Sequence, residues 1–576
     1  MRIKFYSFIL VFCMLVLLIG LAYTQIVMHE RYRTMSEGNR LKVVPLMAPR
    51  GTVFDRNGEA MVKDVLSFKV FIVYNQISDM DSMANVLSSV LEMPEEEIVS
   101  TIRKSRRQSY TPLLVADDIG IEKAIHIEEI GMDYPGLLLE VSAKREYLYS
   151  KSAANALGYL GLINRAEFER LKPYGYRIND LVGRSGIERY YDEYLRGKHG
   201  GKQLEVDHRG REASILGLKE PVPGKDVRLT LDARLQEYCD ALLKDKRGAI
   251  LVMDPDTGEL LVMASAPSYD PKVFIDSTRN EERNALIKDE AKVYPLVNRA
   301  HAASYPPGSV FKVVGATAAL ETGAITPETT FNCPGYLALG RTRFKCWRKT
   351  GHGTLPLKEA IKHSCNVYFF RLGLLLGVEK IAEYAELFGF GSRTGIDLPG
   401  ERRGTLPSRI WKKKRINDSW YKGDTVNYSI GQGYLLCSPL QLARMIAVFA
   451  NGGYLVRPHL AMKVGDVDVN ITSRDYLGIS PENLQTVREG LRKVVNDPRG
   501  TGMKAKLGNI VVAGKTGTAQ TAKRKSHGWF IGFAPYEDPQ LVVVVFDEYG
   551  GKGGYYAAGT AGKVFKEAGR LGLLGK

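Results

Sequence analysis

Cysteine is scarce. The six residues at positions 13, 239, 333, 346, 365 and 437 of a 576-residue chain are too few and too scattered for a disulfide-dense scaffold. Apart from one N-terminal run, no stretch approaches 18 consecutive apolar residues, which excludes a polytopic membrane protein. There is no internal repeat and no low-complexity tract. At 44% hydrophobic and 25% charged residues, the chain is neither disordered nor collagenous. Acid is short relative to base, with 64 Asp and Glu against 80 Lys and Arg and a formal charge of +16. That excess suits an anionic partner, whether nucleic acid, phospholipid headgroups or an acidic polymer, and charge alone does not choose among them. The length exceeds the roughly 250–300 residues at which single cores stop growing, so two or three domains are expected.

From Phe5 to Met28 the chain carries no charge. As a helix this run spans about 36 Å, enough to cross a bilayer. Gly20-Leu21-Ala22 has the small-x-small form of a signal cleavage site, but the apolar run continues through Ile26-Val27-Met28. An uncleaved, single-pass anchor is expected, with the remaining chain as one soluble body on one side. Arg2 and Lys4 face Arg31 and Arg33 across the span, so the positive-inside count does not fix its orientation. Residues 29–46 are polar and helix-compatible and read as a stalk. The Asn57-Gly58 pair after Val53-Phe54 signals a hairpin, and Pro221-Val222-Pro223-Gly224-Lys225 is the most linker-like interior stretch. The expected divisions are therefore a tail at 1–4, a transmembrane helix at 5–28, a mixed module at 29–225 and a second domain at 226–576.

In that second domain, strand-like runs 249–253 and 259–263 flank Asp254-Pro255-Asp256-Thr257-Gly258. Three more, at 510–513, 529–533 and 541–546, arrive only near the end of the chain. Strands from both ends pairing into one sheet, with helices packed on it, make an α+β architecture.

Ser309-Val310-Phe311-Lys312 opens an apolar helix, so a hydroxyl and an amine at i and i+3 share a face. A serine needs a base to become a nucleophile, and a lysine serves only if burial and nearby positive charge lower its pKa. Ser419-Trp420-Tyr421-Lys422 also fits this pattern but has no apolar helix behind it. Ser364-Cys365-Asn366 follows well downstream of Ser309; on its own it reads as a helix cap. Lys515-Thr516-Gly517-Thr518 follows an apolar run and belongs at a strand edge, whereas Lys349-Thr350-Gly351 has no strand before it. Gly508 to Thr516 nearly spells a phosphate-binding loop, but with five intervening residues instead of four. Lys412-Lys413-Lys414-Arg415 is most simply a solvated loop, and nothing beyond charge points to nucleic acid.

The ordered set S-x-x-K, S-x-N, K-T-G-T resembles the active-site serine transpeptidases, penicillin-binding proteins and class A β-lactamases. Ala48-Pro49-Arg50-Gly51 through Gly58, Gly183 to Glu188, Asn427 to Gly433 and His527-Gly528-Trp529-Phe530 extend the resemblance over nearly the whole chain. Together they are similar to class B penicillin-binding proteins, closest to the elongation-type group called penicillin-binding protein 2. Cys365 departs from the S-D-N form of the second motif. The resemblance implies a membrane-proximal pedestal, or dimerisation, domain and a transpeptidase domain with an antiparallel sheet flanked by helices. It implies a peptidoglycan D,D-transpeptidase, inhibited covalently by β-lactams, with a carboxypeptidase side reaction. Ser309 would be the nucleophile and Lys312 its base, with Lys515 keeping Lys312 partly neutral by like-charge repulsion. Ser364 and Lys515 would relay the proton to the leaving amine. Asn366 would bind the substrate backbone, Thr516 and Thr518 its carboxylate, and Gly517 would let substrate approach as an added strand. The N–H groups of Ser309 and Thr518 would form the oxyanion hole. The implied partners are stem peptides and lipid-linked precursor strands, a polytopic SEDS-family glycosyltransferase and elongation scaffold proteins. The implied location is the bacterial inner membrane with the catalytic domain in the periplasm. A division-specific transpeptidase is the nearest alternative. A penicillin sensor without turnover would add a signalling segment, for which four residues before the span are too few.

Cys333, Cys346, His352 and Cys365 supply three thiols and an imidazole within one short stretch, a donor set for a closed tetrahedral zinc site. A disulfide with a spare thiol, or unpaired buried cysteines, are the competing readings. Cys239 and Cys437 read as core residues in helical settings, and Cys13 as facing lipid or a partner helix.

Overall fold

The computed structural model describes residues 2–33, 41–105, 112–134, 136–178, 180–206, 212–469, 473–521 and 525–575. They divide into two compact units, the first made of residues 1–50, 66–144 and 196–224, the second of residues 51–65, 145–195 and 225–576.

The first unit begins with the helix Arg2–Ala22, which passes into a π-helical turn, Tyr23–Val27. This segment is the one helix among the described residues long and apolar enough to cross a membrane, and none of it is buried against protein. Cys13 lies exposed on it. The expected stalk is only partly helical: residues 29–33 are helical, 34–40 lie outside the described residues, and Leu41–Leu46 is a strand antiparallel to Gly200–Val206. Glu212–Lys219 completes this three-stranded sheet. A separate core gathers Val70, Ile72, Met83, Leu87, Ile98, Ile102 and Ile127 beneath the helices Met80–Leu91, Glu95–Ser105 and Ile121–Gly131. Asp79 caps the first of these by accepting from the N–H groups of Asp81 and Ser82.

The second unit is built on five antiparallel strands in the order Leu260–Ala266, Gly248–Met253, Leu541–Asp547, His527–Ala534, Ala513–Ala519. The hairpin from one end of the domain thus pairs with three strands from the other, as the sequence pattern implies. These strands are buried almost throughout because helices cover both faces, which is why they read as continuous apolar runs. Pro439–Ala450 packs on the central strands, while Ala233–Leu242 and Tyr556–Arg570 pack together and against the sheet. The run 510–513 is not itself the last strand; pairing starts at Ala513 and includes Lys515 to Thr518.

Within this unit Val53–Phe54 pairs antiparallel with Ala60–Val62, the hairpin signalled by Asn57-Gly58, and parallel with Val227–Arg228. Asp55 fixes the turn by accepting the N–H groups of Asn57 and Glu59. Arg145 is buried and donates to Glu188 at 2.8 Å, Asp64 at 3.0 Å and the Gly51 carbonyl at 2.8 Å. Residues 412–415 are not a loop: they lie in the helix Arg409–Ile416, and Lys412 points inward to Asp424 (2.7 Å) and Asp418 (3.0 Å). Cys239 is a buried helical residue as expected. Cys437 is buried too, but sits on a β-bridge with Tyr305 ahead of the helix that Ser438 caps.

Candidate active site

Ser309 lies not within the apolar α-helix but in a 3-10 turn, Gly308–Phe311, that leads into the buried helix Lys312–Glu321. Two glycines hold this turn. Gly308 adopts φ +59°, and a Cβ there would come within 2.8 Å of the Thr518 carbonyl. Its N–H donates to the Gly431 carbonyl at 2.8 Å. Gly431 has φ +73°, and its Cβ would lie 2.2 Å from the Gly308 carbonyl oxygen, so both positions require glycine. Ser309 is half-buried, and among the described residues no hydrogen bond engages its Oγ.

Lys312 is fully buried. Its Nζ donates to Ser364 O at 2.9 Å, Ser364 Oγ at 3.2 Å and Asn366 Oδ1 at 2.8 Å, and stands 5.4 Å above the Phe369 ring. Ser364 reaches it from a left-handed backbone conformation, φ +52°, immediately before Cys365, from which the helix Asn366–Leu387 departs. The first two motifs therefore converge on one ammonium. Burial lowers Lys312 to about 8, against the opposing influence of Cys365 and Cys346. Lys515 is also fully buried; burial, and then the charge of Lys312, push it well below the usual lysine value. Solvent exclusion is the main cause of the depression at both lysines, and the repulsion between their charges adds to it. The Lys515 ammonium donates to the Thr516 carbonyl at 2.9 Å.

The remaining residues differ from expectation in detail. Asn366 is already committed, its oxygen to Lys312 and its amide to the Lys345 carbonyl at 3.4 Å. Thr516 is buried, and its hydroxyl donates to Thr501 Oγ1 at 2.9 Å. Thr501 is not legible in sequence, since it lies outside every motif and meets Thr516 only through the fold. Thr518 is exposed and accepts the Gly553 N–H at 3.4 Å. A Cβ on Gly517 would meet Pro307 O, Val310 and Trp529 at 3.0 Å, so this glycine makes room for the serine turn. The strand carrying it is nevertheless the outermost of its sheet, with one edge unpaired. The decoys fall elsewhere: Lys422 starts a helix after an exposed Ser419, and Gly351 packs its α-carbon against the Cys333 carbonyl. Gly514 and Lys515 lie inside a strand, not on a loop entering a helix.

The ligand atoms of Cys333, Cys346, His352 and Cys365 all lie within 4.8 Å of one another. His352 Nδ1 is 3.6 Å from Cys333 Sγ and 3.5 Å from Cys346 Sγ. All six cysteines are free thiols. Hydrogen bonding from Cys365 and His352 holds Cys346 far below the usual thiol range, and the same pairing raises Cys365. Three thiols and an imidazole whose ligand atoms converge in this way fit the donor set of a closed tetrahedral site for a soft divalent cation.

The penicillin-binding protein transpeptidase domain family matches residues 248–568, and the penicillin-binding protein dimerisation domain family matches residues 45–229. The chain is 36% identical to the peptidoglycan D,D-transpeptidase MrdA of Haemophilus influenzae, over 96% of this chain and 89% of that one. Its fold is similar to that of Helicobacter pylori penicillin-binding protein PBP2 solved in complex with MreC, with a TM-score of 0.82, 32% identity, and coverage of 93% of this chain and 99% of that one. It is also similar to a chain of a peptidoglycan synthase complex that coordinates polymerisation and crosslinking, with a TM-score of 0.77, 33% identity, and coverage of 100% and 99%. With both domain families in tandem and the serine, lysine and S-x-N groups gathered in space, the chain belongs to the class B penicillin-binding proteins.

Proposed function

We propose that the chain is a peptidoglycan D,D-transpeptidase that cross-links stem peptides during cell elongation. The observation that carries this reading is the Lys312 ammonium, fully buried and held by Ser364 and Asn366 three residues from Ser309. Neutral Lys312 takes the Ser309 hydroxyl proton as Oγ bonds to the carbonyl carbon of the penultimate D-Ala. The resulting oxyanion is received by the N–H groups of Ser309 and Thr518; one such donor is worth about 2.7–4 kcal/mol of transition-state stabilisation. The peptide C–N bond then breaks, and the departing D-Ala amine gains a proton through Ser364 and Lys515. An amine from a neighbouring stem attacks the acyl-enzyme ester, forming the cross-link and returning the proton to Ser309. Water in place of that amine gives the carboxypeptidase side reaction. Thr518, exposed at the strand edge, is the hydroxyl best placed for the substrate carboxylate, with Thr516 on the same strand as the second hydroxyl. Labelled penicillin followed by mass spectrometry tests the site: the adduct is expected on Ser309 and absent from Ser309→Ala, and an adduct on another residue overturns the assignment.

The anchor helix favours a single-pass membrane protein, and the peptidoglycan D,D-transpeptidase relatives favour placing its catalytic domain in the periplasm, where that polymer lies. The relatives solved with MreC and within a synthase complex favour a scaffold protein and a polytopic glycosyltransferase as partners, and elongation over division. Cys333, Cys346, His352 and Cys365 are read as a structural zinc site, for which three thiols and an imidazole at mutual ligand distances fit. Bound there, zinc would supply cross-linking of the 333–352 segment to the residue inside the S-x-N motif. Metal analysis of the purified chain should give one zinc per chain, lost in Cys333→Ser; a metal-free chain with unchanged thermal unfolding on chelation would refute it.

A further inference from the structure

The positive charge of the second unit is concentrated. Residues 329–358 carry six Lys and Arg and residues 402–417 carry seven, with no Asp or Glu in either stretch. The second stretch borders a groove of about 1000 Å³ that presents Arg402, Arg403, Lys414 and Arg415 against one carboxylate, Glu386, with Trp411 as an aromatic wall. The four cationic side chains belong to exposed residues and make no ion pair or hydrogen bond among the described residues.

Their placement is fixed from beneath. Lys412, the inward cation of the helix Arg409–Ile416, is paired with Asp424 and Asp418 and lies 4.7 Å from the Tyr421 ring and 5.6 Å from that of Tyr434. Trp411 packs on Tyr434 at 5.4 Å. Cations in a last helical turn offset the helix dipole, but Arg402 and Arg403 lie outside the helix and face the same hollow. The groove is also joined to the catalytic segment. Ala302, Ala303 and Ser304 in its wall run directly into the serine turn, and Phe390 in its wall packs edge-on against Phe311 at 5.5 Å.

We infer that this groove is an accessory subsite for an un-cross-linked glycan strand. The carboxylates of its stem peptides meet the four cations, and sugar faces lie against Trp411. The inference rests on the transpeptidase reading and adds to it a recognition surface beyond the reacting dipeptide. Such a surface acts by electrostatic complementarity and is screened by salt.

The test is a pull-down of the full-length chain, in detergent, on beads bearing un-cross-linked strands with their peptides, on beads bearing the same strands stripped of peptide by an amidase, and on vesicles containing anionic phospholipid. The triple variant Arg403→Gln/Lys414→Gln/Arg415→Gln should bind peptide-bearing strands roughly 3- to 150-fold more weakly, the sum of exposed charge pairs, with an unchanged thermal midpoint. Glu386→Gln should bind them at least as tightly as the wild type, and the wild type should prefer peptide-bearing over stripped strands. Equal binding of the triple variant and wild type to peptide-bearing strands overturns the inference. So does a loss seen only on vesicles, which would assign the groove to lipid headgroups, and so does equal loss on stripped strands. Penicillin labelling of the wild-type chain, run in parallel, reports on the enzymatic reading separately: a chain that labels yet shows no charge-dependent strand binding fails only here.

Discussion

Two lysines inside a protein are costly unless something uses them, and here both are fully buried within reach of each other's charge. Because burial holds Lys312 at about 8, about a tenth of it is neutral at pH 7, and that fraction grows with pH. The second-order rate of acylation by penicillin should therefore rise nearly tenfold per pH unit below 8 and level off above it; a flat profile between pH 6 and 8 would argue against Lys312 as the base. Stability has the same sign. The unfolded chain binds this proton up to its ordinary value near 10.5, so Lys312's contribution to stability improves as pH rises from about 8 toward it. Lys312→Gln should slow acylation by about 10²–10⁴-fold, the usual worth of a positioned base, without loss of the folded state by circular dichroism. Ser309, Lys312, Ser364, Asn366 and Lys515 are legible because each sits in a short motif whose order along the chain is itself informative. Thr501 is not, since it depends on a contact made only in the fold.

At the level of elements, the serine turn is held by backbone packed against backbone. Gly431→Ala sets a methyl group 2.2 Å from the Gly308 carbonyl oxygen and places alanine at φ +73°. It should cost about 1–3 kcal/mol of strain and shift the serine turn, so both the denaturant midpoint and the penicillin acylation rate should fall. A variant that keeps both would show that the turn has another anchor. The central sheet is readable because strands covered on both faces become unbroken apolar runs, such as Leu541-Val542-Val543-Val544-Val545. The helix Arg409–Ile416 passes for a loop in sequence because consecutive cations conceal the one that turns inward; only its distant partners Asp418 and Asp424 reveal it. The strand Leu41–Leu46 passes for stalk for a related reason, its partner Gly200–Val206 lying far downstream.

For the molecule as a whole, the boundary expected at 225/226 follows the sequence, but space groups residues differently: 51–65 and 145–195 belong with 225–576. Arg145 ties the loops of these pieces together through Gly51, Asp64 and Glu188. Glu188→Ala leaves a buried guanidinium short of its best partner and should destabilise the second unit by about 3–5 kcal/mol in urea unfolding, whereas a change under about 1 kcal/mol would show the pair to be solvated. This mosaic is only partly legible, as motif segments without an assigned place, because sequence distance hides spatial neighbours. The five-stranded sheet carries the same arrangement into time. Its first two strands, Gly248–Met253 and Leu260–Ala266, leave the ribosome long before its middle strand, Leu541–Asp547, can slot in beside them. At ordinary rates of synthesis that interval is roughly fifteen seconds to a minute. For that long the growing chain carries an apolar hairpin without the strand that pairs with it, and the Gly308–Phe311 turn without the edge strand it packs against.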